Sequence, residues 1–267
     1  MSSLPMMIEL KKVEKENAGV ATFHLDSAVN AAPGQFVMVW LPGLDEKPFS
    51  VSALGKDFSI TVKKRGAFTE KLFELKEGGS LGIRGPYGEG FKTEGVKNAC
   101  VIGGGCGVAP LLPLIKELQL KKIKTEVIVG ARNASEIFFE EKIKRELKHG
   151  ELYITTDDGS RGAKGFATQV MEELIAKEKF DCVFACGPEV MIKKTFEICE
   201  KHGVEFQASL ERYMRCGFGV CGACNCSGQL VCKDGPVFHS EQLRKMSEFG
   251  SFARTKSGLK VGLAEYC

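Results

Sequence analysis

Five cysteines lie between positions 216 and 232, and the first three stand at C-x4-C-x2-C: Cys216, Cys221 and Cys224. With a further cysteine downstream, this is the spacing that wraps a [2Fe–2S] cluster in plant-type sites. The intervening residues are rich in glycine (Gly217, Gly219, Gly222), which accepts positive φ and lets backbone N–H groups approach sulfur. A chain that holds such a cluster moves single electrons. Cys232 is the expected fourth ligand. Cys226 is the alternative, placed second because a C-x-C pair turns neighbouring side chains awkwardly around one metal pair. A structural zinc site is the competing reading, but zinc usually takes paired C-x2-C knuckles, and here a single x2 gap follows an x4 gap. Disulfides fit less well, since eleven cysteines is an odd number and 267 residues can bury a core unaided.

Bulk properties describe a cytoplasmic globular protein. The length suggests about two domains and a small appendage, at ~100–200 residues per domain. A net charge of +3 gives no case for nucleic-acid binding. The first residues, Met1 to Lys12, lack the apolar core and cleavage pattern of a secretory leader. No stretch approaches the ~20 apolar residues of a membrane span.

Texture changes once along the chain. Residues 8–25 and 35–42 are rich in β-formers, and turns are signalled at Pro33-Gly34, Pro42-Gly43, Gly78-Gly79 and Gly85-Pro86, a pattern that predicts an antiparallel barrel or sandwich. From residue 98 onward, apolar runs alternate with helical stretches. Strands are expected at 99–102, 125–130, 151–155, 181–186 and 204–210. Helices are expected up to Leu120 and over 136–148, 166–177 and 188–202. That alternation predicts a doubly wound parallel sheet. The expected division is a β-barrel over 1–97, an α/β domain over 98–210, and a small cluster-binding segment with a tail over 211–267.

The α/β domain opens on Gly103-Gly104-Gly105-Cys106-Gly107 directly after its first strand. Glycines at that turn let a backbone approach a pyrophosphate at a helix N-terminus. The motif is neither G-x-G-x-x-G nor a P-loop, which disfavours ATP or GTP hydrolysis; alone, it could equally be a tight strand–helix turn. Two more strand ends, Thr155-Thr156-Asp157-Asp158-Gly159-Ser160 and Ala185-Cys186-Gly187-Pro188, should converge on it, where open α/β sheets bind ligands.

Barrel, nucleotide domain and cluster segment, in that order and over nearly the whole chain, resemble the ferredoxin-reductase-like electron-transfer subunits of dihydroorotate dehydrogenase B. The most specific match is Met214-x-Cys216-Gly217-x-Gly219-x-Cys221-Gly222-x-Cys224, followed by Val231-Cys232-Lys233-Asp234-Gly235-Pro236. The barrel adds Pro33-Gly34-Gln35-Phe36 and Lys47-Pro48-Phe49-Ser50, the latter similar to a flavin motif with arginine at its head. The resemblance implies FAD, with Lys47 at its pyrophosphate, Phe49 on the isoalloxazine and Ser50 near N5. Lysine for arginine gives up bidentate geometry. Thr61-Val62-Lys63 and Gly66-Ala67-Phe68-Thr69 resemble the second flavin strand and its phosphate turn. Without the resemblance, Phe49 and Phe68 read as ordinary core aromatics.

The resemblance also implies a nicotinamide nucleotide across Gly103, Gly104, Gly105 and Gly107, Ala131 and Arg132, Asp157 and Asp158, and Cys186, Gly187 and Pro188. The acidic pair suits a ribose hydroxyl and leans toward NAD, Arg132 leans toward NADP, and Asp157-Asp158-Gly159 is also a good turn sequence in itself. A separate FMN-containing catalytic subunit is the implied partner, in a heterotetramer of two copies of each, with electrons running from FMN through the cluster and FAD to NAD. The redox chemistry then belongs to the cofactors, and no general acid or base is expected. The tail (Arg244, Lys245, Phe249, Phe252, Arg254, Lys256) contributes to the partner contact or is a solvated basic tail. Two other functions remain open: a flavin/iron–sulfur relative serving ferredoxin, NADPH or a sulfur-linked partner, and a zinc-binding interaction module. Some such relatives carry Asp at the first ligand position, so Cys216 favours the dihydroorotate family.

Overall fold

The structure, a computed structural model, describes residues 4–266. Six antiparallel strands close a barrel in the order β1-β2-β5-β4-β3-β6. They are β1 (Met6–Lys15), β2 (Val20–Leu25), β3 (Phe36–Leu41), β4 (Asp45–Ala53), β5 (Ser59–Lys63) and β6 (Ser80–Tyr87), with helix α1 (Ala67–Phe73) between the last two. Closure leaves no free sheet edge. β3 shows why its sequence, Phe-Val-Met-Val-Trp-Leu, is apolar throughout. Strand alternation sends Val37, Val39 and Leu41 into the barrel core and turns Phe36 and Met38 outward into the core that carries the cysteine loop.

Beyond the barrel a seven-stranded sheet runs β10-β9-β8-β7-β11-β12-β15. Its strands are β7 (Asn98–Gly104), β8 (Lys124–Ala131), β9 (Leu152–Thr156), β10 (Ala163–Lys164), β11 (Cys182–Cys186), β12 (Glu205–Ser209) and β15 (Val237–His239). All neighbours are parallel except β12 and β15. Helices α2 (Val108–Leu120), α3 (Glu140–Glu146), α4 (Ala167–Lys177) and α5 (Glu189–His202) connect them. The central strand β7 is buried on both faces. Ala99 and Val101 pack with α2 and α3, and Cys100 and Ile102 pack with α4 and α5, as a doubly wound sheet requires.

The cysteine-bearing segment contributes the hairpin β13 (Asn225–Cys226) and β14 (Gln229–Leu230), helix α6 (Ser240–Lys245), the hairpin β16 (Phe252–Arg254) and β17 (Lys260–Gly262), and helix α7 (Leu263–Tyr266). It shares one core with the nucleotide sheet, in which Cys224, Cys226, Val231 and Cys232 pack with Phe196 and Phe206. The basic tail folds back. Phe249 is buried edge-on against Phe196 at 5.7 Å, and Arg244 pairs with Glu200 of α5. Phe249 is thus part of the core, while the Arg244 and Lys245 side chains stay largely solvated.

Among the described residues, no helix is long and apolar enough to cross a membrane. The ten cysteines among them are all free thiols.

Candidate cluster and nucleotide site

The cysteine loop brings Cys216, Cys221, Cys224 and Cys232 together as two pairs. Burial alone would raise the Cys216 thiol, but N–H groups of Cys221, Phe218 and Val220 and the neighbouring Cys221 thiol bring it down to about 6. The Cys224 thiol, bonded chiefly by Cys232, falls to about 7, while Cys232 is pushed up by the same bond. Backbone donors line the set: Gly219 N–H donates to Cys232 Sγ at 3.2 Å, Val220 N–H to Cys216 Sγ at 3.4 Å, and Cys232 N–H to Cys224 Sγ at 3.4 Å. Gly217 and Gly219 permit this with φ of +82° and +86°. Among the described residues, no group of three or more Cys, His, Asp or Glu side chains is placed to hold a single ion. Two thiol pairs ringed by N–H donors fit a two-iron cluster, whose bridging and ligand sulfurs carry the charge that those N–H groups meet. Cys226 lies outside the set. It is fully buried and accepts a bond from Arg212 Nη2 at 3.2 Å, and its thiol is raised, first by burial.

The loop sits on the outer face of β3 and β6. Gly217 rests so closely on Met38 that a Cβ would lie 2.7 Å from Met38 Cγ. Tyr87 reaches Phe36 (5.9 Å between ring centroids) on one side and Phe218 of the loop (6.4 Å) on the other. Phe36 pairs with Ser50 and Met38 with Pro48 across β3 and β4. Directly paired residues share a sheet face, so Ser50 and Pro48 lie on the face that carries the loop.

Lys47 and Phe49 alternate to the other face of β4. Phe49 is half-buried and stacked on buried Phe68 at 6.0 Å and 26°, so both rings serve the barrel core as well as its rim. The Lys47 ammonium bonds to Asp45 at 2.5 Å and lies 5.7 Å from the Tyr213 ring centroid. On β5, Thr61 Oγ1 donates to Ser52 Oγ and exchanges a bond with Thr22, both at 2.9 Å; Val62 is buried and Lys63 exposed. The turn before α1 is tied by Thr69 Oγ1, which accepts from the N–H groups of Arg65 and Gly66 at 2.8 and 3.0 Å. Nothing lies within 4 Å of where a Cβ on Gly66 would stand, leaving an open backbone surface of the kind a phosphate needs.

The nucleotide residues converge at the carboxyl ends of the parallel strands. Gly103 is level with Cys186 on one side and Val129 on the other, and Ala131 is level with Thr156. Gly104 admits no side chain, since a Cβ would meet Met191 Sδ and Pro188 Cδ at 2.8 Å. Gly107 packs against the Cys186 carbonyl. Gly187 takes φ +152° beside the Gly104 N–H. The Gly105–Gly107 turn also approaches β5, and Cys106 there feels the charges of Lys63 and Arg65. Burial raises the thiols of both Cys106 and Cys186, the latter to about 12. Asp157 and Asp158 are exposed. The Asp158 carboxylate accepts from Ser160 N–H at 2.9 Å and Oγ at 2.6 Å and so builds the turn, while Arg132 pairs with Glu136.

Two charged centres escaped the sequence reading. Arg84 joins Glu46 on β4 to the Cys216 carbonyl, and Arg212 joins Glu189, at the start of α5, to Cys226. The signal for the first was present: Arg84 is the only charged residue in the apolar strand Ser80–Tyr87.

Comparison with known proteins agrees with this geometry. Residues 211–244 match the family described as the iron-sulfur cluster binding domain of dihydroorotate dehydrogenase B. Residues 101–197 match the oxidoreductase NAD-binding domain. A protein of Methanocaldococcus jannaschii described as "Probable dihydroorotate dehydrogenase B (NAD(+)), electron transfer subunit" is 44% identical over 259 residues, covering 96% of this chain and 98% of its own. A Pyrococcus furiosus protein of the same description is 47% identical over 239 residues, 90% and 92% of the two chains. Among solved structures, a chain of an NADH-dependent reduced ferredoxin-NADP oxidoreductase superposes with a TM-score of 0.81 at 31% identity, covering 92% and 93%. The FAD/NAD-binding domain of a nitric oxide dioxygenase from Vibrio cholerae, at 20% identity and TM-score 0.66 over 74% and 93%, shares the fold. The match of the cysteine segment to an iron-sulfur domain displaces the zinc alternative.

Proposed function

Because the chain belongs to the family of dihydroorotate dehydrogenase B electron-transfer subunits, we propose that it carries electrons between a dihydroorotate-oxidising catalytic subunit and NAD, through a [2Fe–2S] cluster and FAD. The observation that carries this reading is the shared barrel face: the four-thiol loop and Ser50 lie on the same side of β3 and β4, bridged by Met38, Phe36 and Tyr87.

Cys216, Cys221, Cys224 and Cys232 would hold the cluster, and the N–H groups of Gly219, Val220 and Cys232 would stabilise the charge on its ligand sulfurs. Pro48, Phe49 and Ser50 on β4 and Thr61, Val62 and Lys63 on β5 border the flavin, with Phe68 supporting Phe49 from below. Gly66 and Thr69 would offer the open turn to its phosphates, and Lys47 would supply a cation to the pyrophosphate. FAD, when bound, exchanges a hydride with nicotinamide and single electrons with the cluster. The chain's own residues bring these groups together and exclude water. Gly103, Gly104, Gly105 and Gly107 let the dinucleotide approach the backbone. Cys186, Gly187 and Pro188 wall the nicotinamide end, and burial keeps the Cys186 thiol protonated.

Asp157 and Asp158 face the ribose, with Ala131 and Arg132 at the rim. The acidic turn, which suits a ribose hydroxyl and repels a 2′-phosphate, supports NAD as the cofactor. The partner carries FMN, and the assembly holds two copies of each chain. Exposed Phe218 and Val220 belong to the cysteine loop and are the apolar surface offered to that partner. The domains divide at 97/98 and 210/211, and the chain works in the cytoplasm.

The test is the visible spectrum of anaerobically purified chain before and after NADH. Flavin bands with iron–sulfur shoulders that bleach on NADH support the reading, and a colourless chain that takes up neither FAD nor iron overturns it. A second reading, service to ferredoxin and NADP, draws on the 31% identical oxidoreductase. NAD reduction by dihydroorotate that appears only on adding an FMN-type catalytic subunit separates the two.

A further inference from the structure

We propose that Arg84 is the positioning residue that locks the cluster loop to the flavin-bearing strand and sets the charge the cluster feels; this rests on the reading above that the chain holds FAD and a [2Fe–2S] cluster. Its guanidinium joins three segments. Nε donates to Glu46 Oε1 at 2.7 Å, and Nη2 completes a two-pronged pair with the same carboxylate. Nη2 also donates to the backbone carbonyl of Cys216 at 3.2 Å, and Nη1 to the Tyr87 hydroxyl at 3.4 Å. The guanidinium carbon lies 5.8 Å from the Tyr87 ring centroid and 5.6 Å from that of Phe218. Glu46 immediately precedes Lys47-Pro48-Phe49-Ser50, and Cys216 and Phe218 belong to the loop that grips the cluster.

Stability alone does not call for such a group. The Arg84 side chain is 8% exposed and that of Glu46 19%, and apolar residues commonly replace a buried ion pair without loss. Geometry and charge do call for it. A planar fork reads a carboxylate and a carbonyl at once while stacking between rings, which an ammonium cannot do. Partners outside the ligand set fix the ligands' orientation, and net charge and hydrogen bonding tune a cluster's potential. A cation beside Cys216 favours the reduced cluster, which carries one more negative charge; Glu46 opposes it. The two members of the pair therefore act on the potential with opposite sign, whereas a purely structural pair would not.

The experiment uses the full chain reconstituted with FAD and iron–sulfur, as wild type, Arg84→Met, Arg84→Lys and Glu46→Gln. The cluster potential is titrated by electron paramagnetic resonance, and bleaching of flavin and cluster bands is followed separately after mixing with NADH. Arg84→Met is expected to lower the potential, Glu46→Gln to raise it, and Arg84→Lys to hold it near wild type. Both Arg84 variants should slow cluster bleaching by ~10-fold relative to flavin bleaching, through loss of the fork. Potentials of Arg84→Met and Glu46→Gln that move together or not at all, with cluster bleaching keeping pace with flavin, overturn the proposal. Should Arg84→Met fail to retain the cluster, a raised potential in Glu46→Gln with Arg84→Lys near wild type and slow in cluster bleaching supports the proposal, and an unmoved or lowered potential in Glu46→Gln overturns it. A wild-type chain lacking flavin or cluster bands overturns the underlying reading instead, and the same spectra show it.

Discussion

Arg212 donates from Nη2 to the sulfur of Cys226 at 3.2 Å, a contact that supports leaving Cys226 outside the proposed ligand set. Cys226 lies two residues from Cys224, yet strand alternation in the β13–β14 hairpin turns it into the core toward Arg212. Cys232 lies eight residues from Cys224 and gives its N–H to that residue's sulfur.

Replacing the two cysteines should therefore have unequal effects. Cys226→Ala is expected to keep its iron and its absorption shoulders, and Cys232→Ser to lose them. Iron per chain and the visible spectrum of each purified variant check this; equal loss in both would reverse the ligand assignment.

The same arginine predicts a large stability effect. Its side chain is 2% exposed and its partner Glu189 11%. Arg212 also donates to the carbonyls of Glu211 (2.8 Å) and Phe252 (3.3 Å), and Gly250 N–H donates to Glu189 at 2.8 Å. Glu189→Leu leaves a buried cation without its partner and should cost about 3–5 kcal/mol in urea unfolding, while Arg212→Met combined with Glu189→Leu should recover most of that.

Two glycines of the nucleotide turn should respond differently to alanine. A Cβ on Gly107 meets the Cys186 carbonyl and the Gly187 amide, whereas one on Gly105 meets nothing within 4 Å. Gly107→Ala should lose roughly 1–3 kcal/mol through overpacking and weaken NAD binding by shifting Cys186–Pro188. Gly105→Ala, at φ +52°, should cost about 1–2 kcal/mol from the left-handed backbone with little change in NAD affinity. Thermal denaturation and NAD titration of both variants test the contrast.

Stability should fall on the acid side in two windows. Burial, reinforced by Lys92, lowers the His239 pKa, so folding favours the neutral ring. Its contribution is complete above the unfolded value of about 6.5 and is lost as pH falls through the lower folded value. Asp181 is lowered by the N–H groups of Lys97 and Asn98; its contribution is present above the ordinary aspartate range and is lost at more acid pH still. In unfolding measured from pH 8 downward, His239→Gln should remove the first decline and leave the second.

Features that depend on local spacing and periodicity were legible along the chain. The C-x4-C-x2-C loop, the glycine turn after β7 and the change from β-rich to alternating texture are one-dimensional signals of backbone geometry, and each lies where the chain fold puts it. The fit of the helix expected over 188–202 to α5 at Glu189–His202 shows this best, because a period of 3.6 and a left-handed Gly203 mark it within the segment itself. The helix expected over 136–148 shrank to Glu140–Glu146 because Phe138 and Phe139 pack into the core and Phe139 takes a left-handed turn, an effect of tertiary packing. The expected preference for Cys232 over Cys226 finds its packing reason only in the tertiary structure, where Arg212 holds the Cys226 sulfur. Only it could bring Arg84 to Cys216, 132 residues away. Side-chain charges find partners across the whole chain, and a one-dimensional pattern holds no record of which partners those are.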